Sequence, residues 1–219
     1  MEEICSKPLL RNLFQEAAGL VEKNKTIKLK KIFSQMTSDS EKYKLLTFAG
    51  AVNGNTLLHL AVSSGHSNTV QCILEVEDTL TPKAGCTEVS HKLINIRNVC
   101  GNTPVHETVQ SGDQAMLKRL LAGTSASNDE LVTALSVVNN LNRNVLHLCY
   151  VNKEMEMFDW IIEMLETDDD KIKLMTAGCD DGGSLLQYAA ERQDIDFLCR
   201  VSSMIGHDTR SQLYPDGQC

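Results

Sequence analysis

The chain has 219 residues, 42 % of them hydrophobic but only 5 % aromatic, which excludes a disordered chain and calls for an aliphatic core. Its four prolines favour helix over a turn-rich β-sandwich. Its net charge of −8 excludes nucleic acid as a general ligand, because an acidic body repels phosphate backbones.

The N-terminus, MEEICSKPLL, is acidic and has no long apolar stretch, so it does not read as a signal peptide. Residues 1–50 carry nine Lys/Arg against six Asp/Glu, a balance of +3, and the remainder balances at −11. The basic stretch EKNKTIKLKK (Glu22 to Lys31) reads as a solvated helix face. No aromatic residues interleave its lysines, so it offers single-stranded nucleic acid no stacking platform. Around it, LFQEAAGLVEKNKTIKLKKIF reads as a degenerate first unit, with Ala17 aligned on Ala61 at a spacing of 44.

Four similar segments follow: GNTLLHLAVSSGH (Gly54 to His66), GNTPVHETVQSGD (Gly101 to Asp113), NRNVLHLCYVNKE (Asn142 to Glu154) and GGSLLQYAAERQD (Gly182 to Asp194). Their fourth positions after the opening, His59, His106, His147 and Gln187, are 47, 41 and 40 residues apart. A second apolar run follows each opener. These runs are Val70, Ile73 and Leu74; Met116, Leu117, Leu120 and Leu121; Phe158, Ile161, Ile162 and Leu165; and Phe197, Leu198, Val201 and Ile205. Steps of three and four put each run on one helix face, so each unit predicts a short helix, a tight turn and a second helix.

This layout resembles the ankyrin repeats, whose signature G-x-T-P-L-H-x-A opens a unit of about 33 residues. GNTLLHLA and GNTPVHET carry the resemblance best. NRNVLHLC has Arg143 and Asn144 near the Gly and Thr positions, and GGSLLQYA has Ser184 for Thr and Gln187 for His. The resemblance implies an all-α ankyrin-repeat solenoid of helix-turn-helix units with enlarged inter-repeat loops. It divides the chain into an N-terminal degenerate or capping unit (1–50), four repeats over 51–206 (about 51–92, 97–135, 139–174 and 179–206) and a tail, 207–219. Thr56, Thr103 and Ser184 suit helix N-caps, and Pro104 suits a first helical turn. The recurring His or Gln would satisfy backbone groups between neighbouring units. Gln187 keeps those hydrogen bonds without the proton chemistry of histidine.

The spacings exceed the usual repeat, so extra residues lie between units. EVEDTLTPKAGCTEVSHK (Glu75 to Lys92) reads as a loop. GTSASNDELVT (Gly123 to Thr133) places a helix start near Ser127 or Asn128. ETDDDKIKL (Glu166 to Leu174) reads as a solvated helix end plus loop, since it lacks the Gly and Glu of a calcium loop.

No catalytic motif is present: no G-x-S-x-G elbow, P-loop, G-x-G-x-x-G or H-E-x-x-H. The eight cysteines form no CxxC and no zinc spacing. These features predict no enzyme, no cofactor and no metal, in a reducing cytoplasmic or nuclear setting. No run reaches the roughly 18 apolar residues of a membrane span. The resemblance implies a protein-interaction module, an adaptor or inhibitor, that binds a partner protein with a basic patch near Asp168–Asp170 and Asp180–Asp181. Its turn contacts would be Val52, Asn53, Asn55, Val99, Cys100, Asn102, Leu141, Asn142, Asp180 and Asp181. Its first-helix contacts would be Ser63, Ser64, Gln110, Ser111, Val151, Asn152, Glu191 and Arg192. Val99 and Leu141, apolar at turn tips, stand out as anchors. The wording of the first two units also resembles plant ankyrin proteins with C-terminal membrane helices, which implies defence signalling or the repeat region of a membrane-anchored protein. A viral or bacterial mimic is a further alternative.

Overall fold

The computed structural model describes residues 7–80, 93–122, 128–177 and 184–205. Within them the backbone forms thirteen α-helices and no strand. Two compact units divide the chain, Met1–Ser125 and Ala126–Cys219.

In the first unit, α1 (Lys7–Glu22) and α2 (Thr26–Gln35) form a hairpin, followed by α3 (Asp39–Thr47). A second hairpin pairs α4 (Leu57–Ser63) with α5 (Ser67–Thr79). After a 3-10 turn at Leu93–Asn95, a third pairs α6 (Pro104–Ser111) with α7 (Gln114–Ala122). First helix packs on first helix (α1 on α4, α4 on α6) and second on second (α2 on α5, α5 on α7). The second unit opens with α8 (Asn128–Ser136) and then pairs α9 (Val145–Asn152) with α10 (Met155–Met164). It continues through α11 (Asp168–Thr176) to a last hairpin of α12 (Leu185–Glu191) and α13 (Ile195–Ser203). There α11 packs against α8, α9 and α12.

One turn geometry closes all five hairpins. A single residue takes the left-handed conformation after each first helix: Asn24, Gly65, Gly112, Lys153 and Gln193, with φ between 52° and 69°. The next residue then donates its N–H five residues back: Lys25 to Leu20 (2.8 Å), His66 to Ala61 (3.0 Å), Asp113 to Thr108 (3.3 Å), Glu154 to Cys149 (2.8 Å) and Asp194 to Ala189 (3.1 Å). These bonds satisfy carbonyls that a helix end would otherwise orphan. They also correct the N-terminal alignment: Leu20, not Ala17, stands where Ala61 does.

The apolar runs fill the interior as their period predicts. Val70, Ile73, Leu74, Met116, Leu117, Leu120, Leu121, Phe158, Ile161, Ile162, Leu165, Phe197, Val201 and Ile205 are buried, and Leu198 is half-buried. The helix expected near Asn128 is α8. The acidic insert is a correction. ETDDDKIKL is no helix end followed by loop: Thr167 caps the start of α11, and Asp168, Asp169 and Asp170 occupy its first turn. Carboxylates there are favoured by the positive end of the helix dipole. The insert Glu75 to Lys92 begins as the last turns of α5, and its remainder, 81–92, lies outside the described residues.

Candidate protein-interaction surface

The repeated histidine is built into the fold. Thr56 caps α4 and His59 completes a capping box with it. The Thr56 N–H (3.3 Å) and hydroxyl (2.9 Å) both face His59 Nδ1. Since a backbone N–H can only donate, Nδ1 is the acceptor and Nε2 carries the proton. Nε2 donates to the Asn102 carbonyl of the next repeat at 3.0 Å. Thr103 and His106 repeat the Nδ1 half of this geometry, at 3.2 and 2.8 Å. In α12, Ser184 N–H donates to Gln187 Oε1 at 2.7 Å, so the amide does the same capping work, here on an exposed side chain.

His147 differs because Asn144 takes the threonine's place. Asn144 Nδ2 donates to the Leu174 carbonyl at 2.7 Å. Asn144 Oδ1 accepts from the His147 backbone N–H (3.1 Å) and faces Nδ1 at 2.8 Å. An amide oxygen cannot donate, so here Nδ1 holds the proton and Nε2 is a bare lone pair. That nitrogen is buried and has no partner among the described residues. Gly183, the counterpart of Asn102, lies outside them. Burial lowers His59 and His147 to about 4, with Arg143 adding to the effect at His147. Both rings are neutral near pH 7, as hydrogen-bonding elements of the core.

The turns between hairpins are held as firmly. Asn98 Oδ1 accepts from Cys100 N–H and Asn102 N–H, both at 3.0 Å. Its Nδ2 donates to Asn55 Oδ1 (2.9 Å) and Glu107 Oε1 (3.1 Å), tying adjacent turns together. Val99 N–H also donates to the Asn53 carbonyl at 2.9 Å. Asn139 repeats the device, accepting from Leu141 N–H (2.9 Å) and Arg143 N–H (3.1 Å). Gly54 is required here: its φ is +69°, and a Cβ would sit 2.9 Å from Val99 N. Asn142, at φ 48°, occupies the corresponding position two repeats later, so Asn142 rather than Arg143 stands for the glycine.

On these braced turns Val52 is 94 % exposed, Val99 65 % and Leu141 64 %. Asn53, Cys100, Ser63, Gln110, Ser111, Asn152, Glu191 and Arg192 are also exposed, while Asn55, Ser64, Asn142 and Val151 are half-buried. Asn102 is buried. Its amide donates to Glu107 at 3.2 Å and its carbonyl accepts from His59 Nε2–H, so it braces the turn and offers a partner no side chain. Asp180 and Asp181 lie outside the described residues. Asp168 pairs with Lys171 at 2.9 Å, and Asp170 accepts from Thr167 (2.7 Å) and Asn128 (3.0 Å). Those two bonds hold the Asp170 carboxyl below its ordinary range. Arg97, close to Cys100 in sequence, donates to the Gly101 carbonyl at 3.1 Å and so clamps the turn. Burial pushes the Cys72 and Cys149 thiols up, away from the reactive thiolate.

Sequence reasoning passed over Asn98 and Asn139, although both stand eight residues before the repeated histidine. It also passed over Tyr188, half-buried on α12. Arg192 lies over the Tyr188 ring at 4.1 Å and Arg143 at 5.9 Å. Tyr150 meets that ring edge-on at 6.0 Å and donates its hydroxyl to Asp194 Oδ2 at 2.9 Å. Burial, with Asp194, pushes the Tyr150 hydroxyl up to about 12, so it remains a donor.

A family model of ankyrin repeats, three copies, matches residues 29–128. Residues 29–128 are thus ankyrin repeats. Among solved structures, the chain is similar to one from the crystal structure of the yeast ribosomal protein Rps3 in complex with its chaperone Yar1. The TM-score is 0.58 at 20 % identity, covering 72 % of this chain and 95 % of that one. That likeness concerns the fold. Ankyrin repeats are a protein–protein interaction module, and no described helix is long and apolar enough to cross a membrane.

Proposed function

We propose that this chain is a non-enzymatic adaptor or inhibitor that binds a partner protein through its turn tips and the exposed ends of its first helices. The observation that carries this reading is the set of exposed apolar side chains on braced turns: Val99 and Leu141, whose turn backbones are held by Asn98 and Asn139, and Val52, on the turn whose Asn53 carbonyl accepts from the Val99 N–H. An apolar anchor on a rigid turn loses little ordering entropy when it docks, and such anchors supply a large share of interface energy. The solved complex of Rps3 with its chaperone Yar1 offers a precedent in kind for a chain of this fold.

The test is affinity capture with three chains: wild type, Val52→Asp/Val99→Asp and Leu141→Asp. These positions are exposed, so the variants should melt within about 0.5 kcal/mol of wild type. At least one variant should lose a partner that wild type recovers. Recovery of an identical set of partners by all three chains would contradict the reading.

A further inference from the structure

We propose that the cluster Arg143, Tyr188 and Arg192 in the second unit seats an acidic segment of the partner, with Arg192 pairing a carboxylate and the Tyr188 ring covering the apolar side chain beside it. This rests on the interaction-surface reading above and adds the chemistry of what binds. The chain is acidic overall, so a cationic spot on its binding face calls for a use.

The nearby carboxylates leave Arg192 available. Asp194 spends one oxygen on Tyr150 and the other on the Phe197 N–H at 3.1 Å, capping α13. Glu191 is exposed at the neighbouring position. Arg192 makes no ion pair among the described residues; its described contact is the Tyr188 ring. Stacking fixes the plane of the guanidinium while leaving its edge donors open, the arrangement that receives a carboxylate through two parallel hydrogen bonds. Tyr188 is half-buried, backed by Tyr150, which in turn packs on Phe197 at 4.4 Å. The platform is therefore rigid before anything docks, and Tyr and Arg are the residue types that dominate interface energies. Of the carboxylates that suggested a basic partner, Asp168 and Asp170 are engaged at the start of α11.

The test uses the full chain and three fluorescein-labelled peptides, built from Gly-Leu-Glu, Gly-Leu-Gln or Gly-Leu-Lys repeats, titrated by fluorescence anisotropy. The Glu peptide should bind about tenfold or more tightly than the Gln peptide, and the Lys peptide more weakly still. Arg192→Gln should remove most of that preference, and Arg192→Lys should restore part of it, keeping the charge without the planar fork. Equal binding of the Glu and Gln peptides, no binding of the Glu peptide, or a preference that survives Arg192→Gln would overturn the proposal. Leu141→Asp is measured alongside. If it weakens binding while Arg192→Gln does not, the interaction surface stands and the acidic seat falls. If neither weakens it, both fall.

Discussion

The first and third histidines of the repeat series occupy one place in the fold and hold their proton on opposite nitrogens. His59, in the first unit, sits behind a threonine and uses both ring nitrogens, one within its own repeat and one on the Asn102 carbonyl of the next. His147, in the second unit, sits behind Asn144, whose oxygen can only accept, and its Nε2 is left without a partner among the described residues. The N-cap residue three positions earlier thus decides which nitrogen is protonated and how many neighbours the ring can join. A shared motif guarantees the position of a side chain; the atoms around it decide its chemistry.

The largest effect that would break or sharpen this contrast comes from replacing each ring with a hydrocarbon. His59→Leu strands the buried Thr56 N–H and removes a bond to the next repeat, and should cost about 2–3 kcal/mol in urea denaturation. His147→Leu should cost clearly less. Asn144 Oδ1 still accepts from the backbone, and a buried nitrogen with no partner among the described residues disappears. Equal losses would mean the two rings are equivalent after all.

Acid comes next. Both histidines titrate near 4 in the folded chain, below the usual value of about 6.5 that they regain on unfolding. Below about pH 6.5 the unfolded chain therefore binds more protons, and stability falls as pH drops toward about 4. Each ring should withdraw about 2 kcal/mol by about pH 5, read from urea midpoints across the range. A His59→Gln variant should show a shallower decline, and a decline as steep as wild type would remove His59 from the explanation.

The smallest effect concerns the hairpin turns. The left-handed residue is glycine in two first-unit turns but Lys153 and Gln193 in the second unit. Lys153→Gly should stabilise the chain by about 0.5–1 kcal/mol, because the side chain disfavours that conformation. Thermal denaturation would detect it, and a destabilisation would show that Lys153 holds its turn through its side chain.

Much of this architecture was legible in the sequence. The period of Met116 to Leu121 and of Phe158 to Leu165 placed the second helices, and the Thr–His spacing placed the caps. What stayed hidden depended on context. Three consecutive aspartates read as a solvated helix end plus loop, yet Thr167 makes them a favourable first turn. Asn102 read as a solvent contact because its neighbours are turn residues, but Glu107 and His59 draw it inward. The Tyr188 stack joins Arg143 and Arg192 from two repeats, a meeting that no local pattern encodes.

The most direct test of a structural role for these histidines is a long-range proton–nitrogen NMR spectrum of the imidazoles near pH 7. It should show two neutral rings of opposite tautomer, His59 protonated on Nε2 and His147 on Nδ1. Protonated rings, or the same tautomer at both sites, would contradict it.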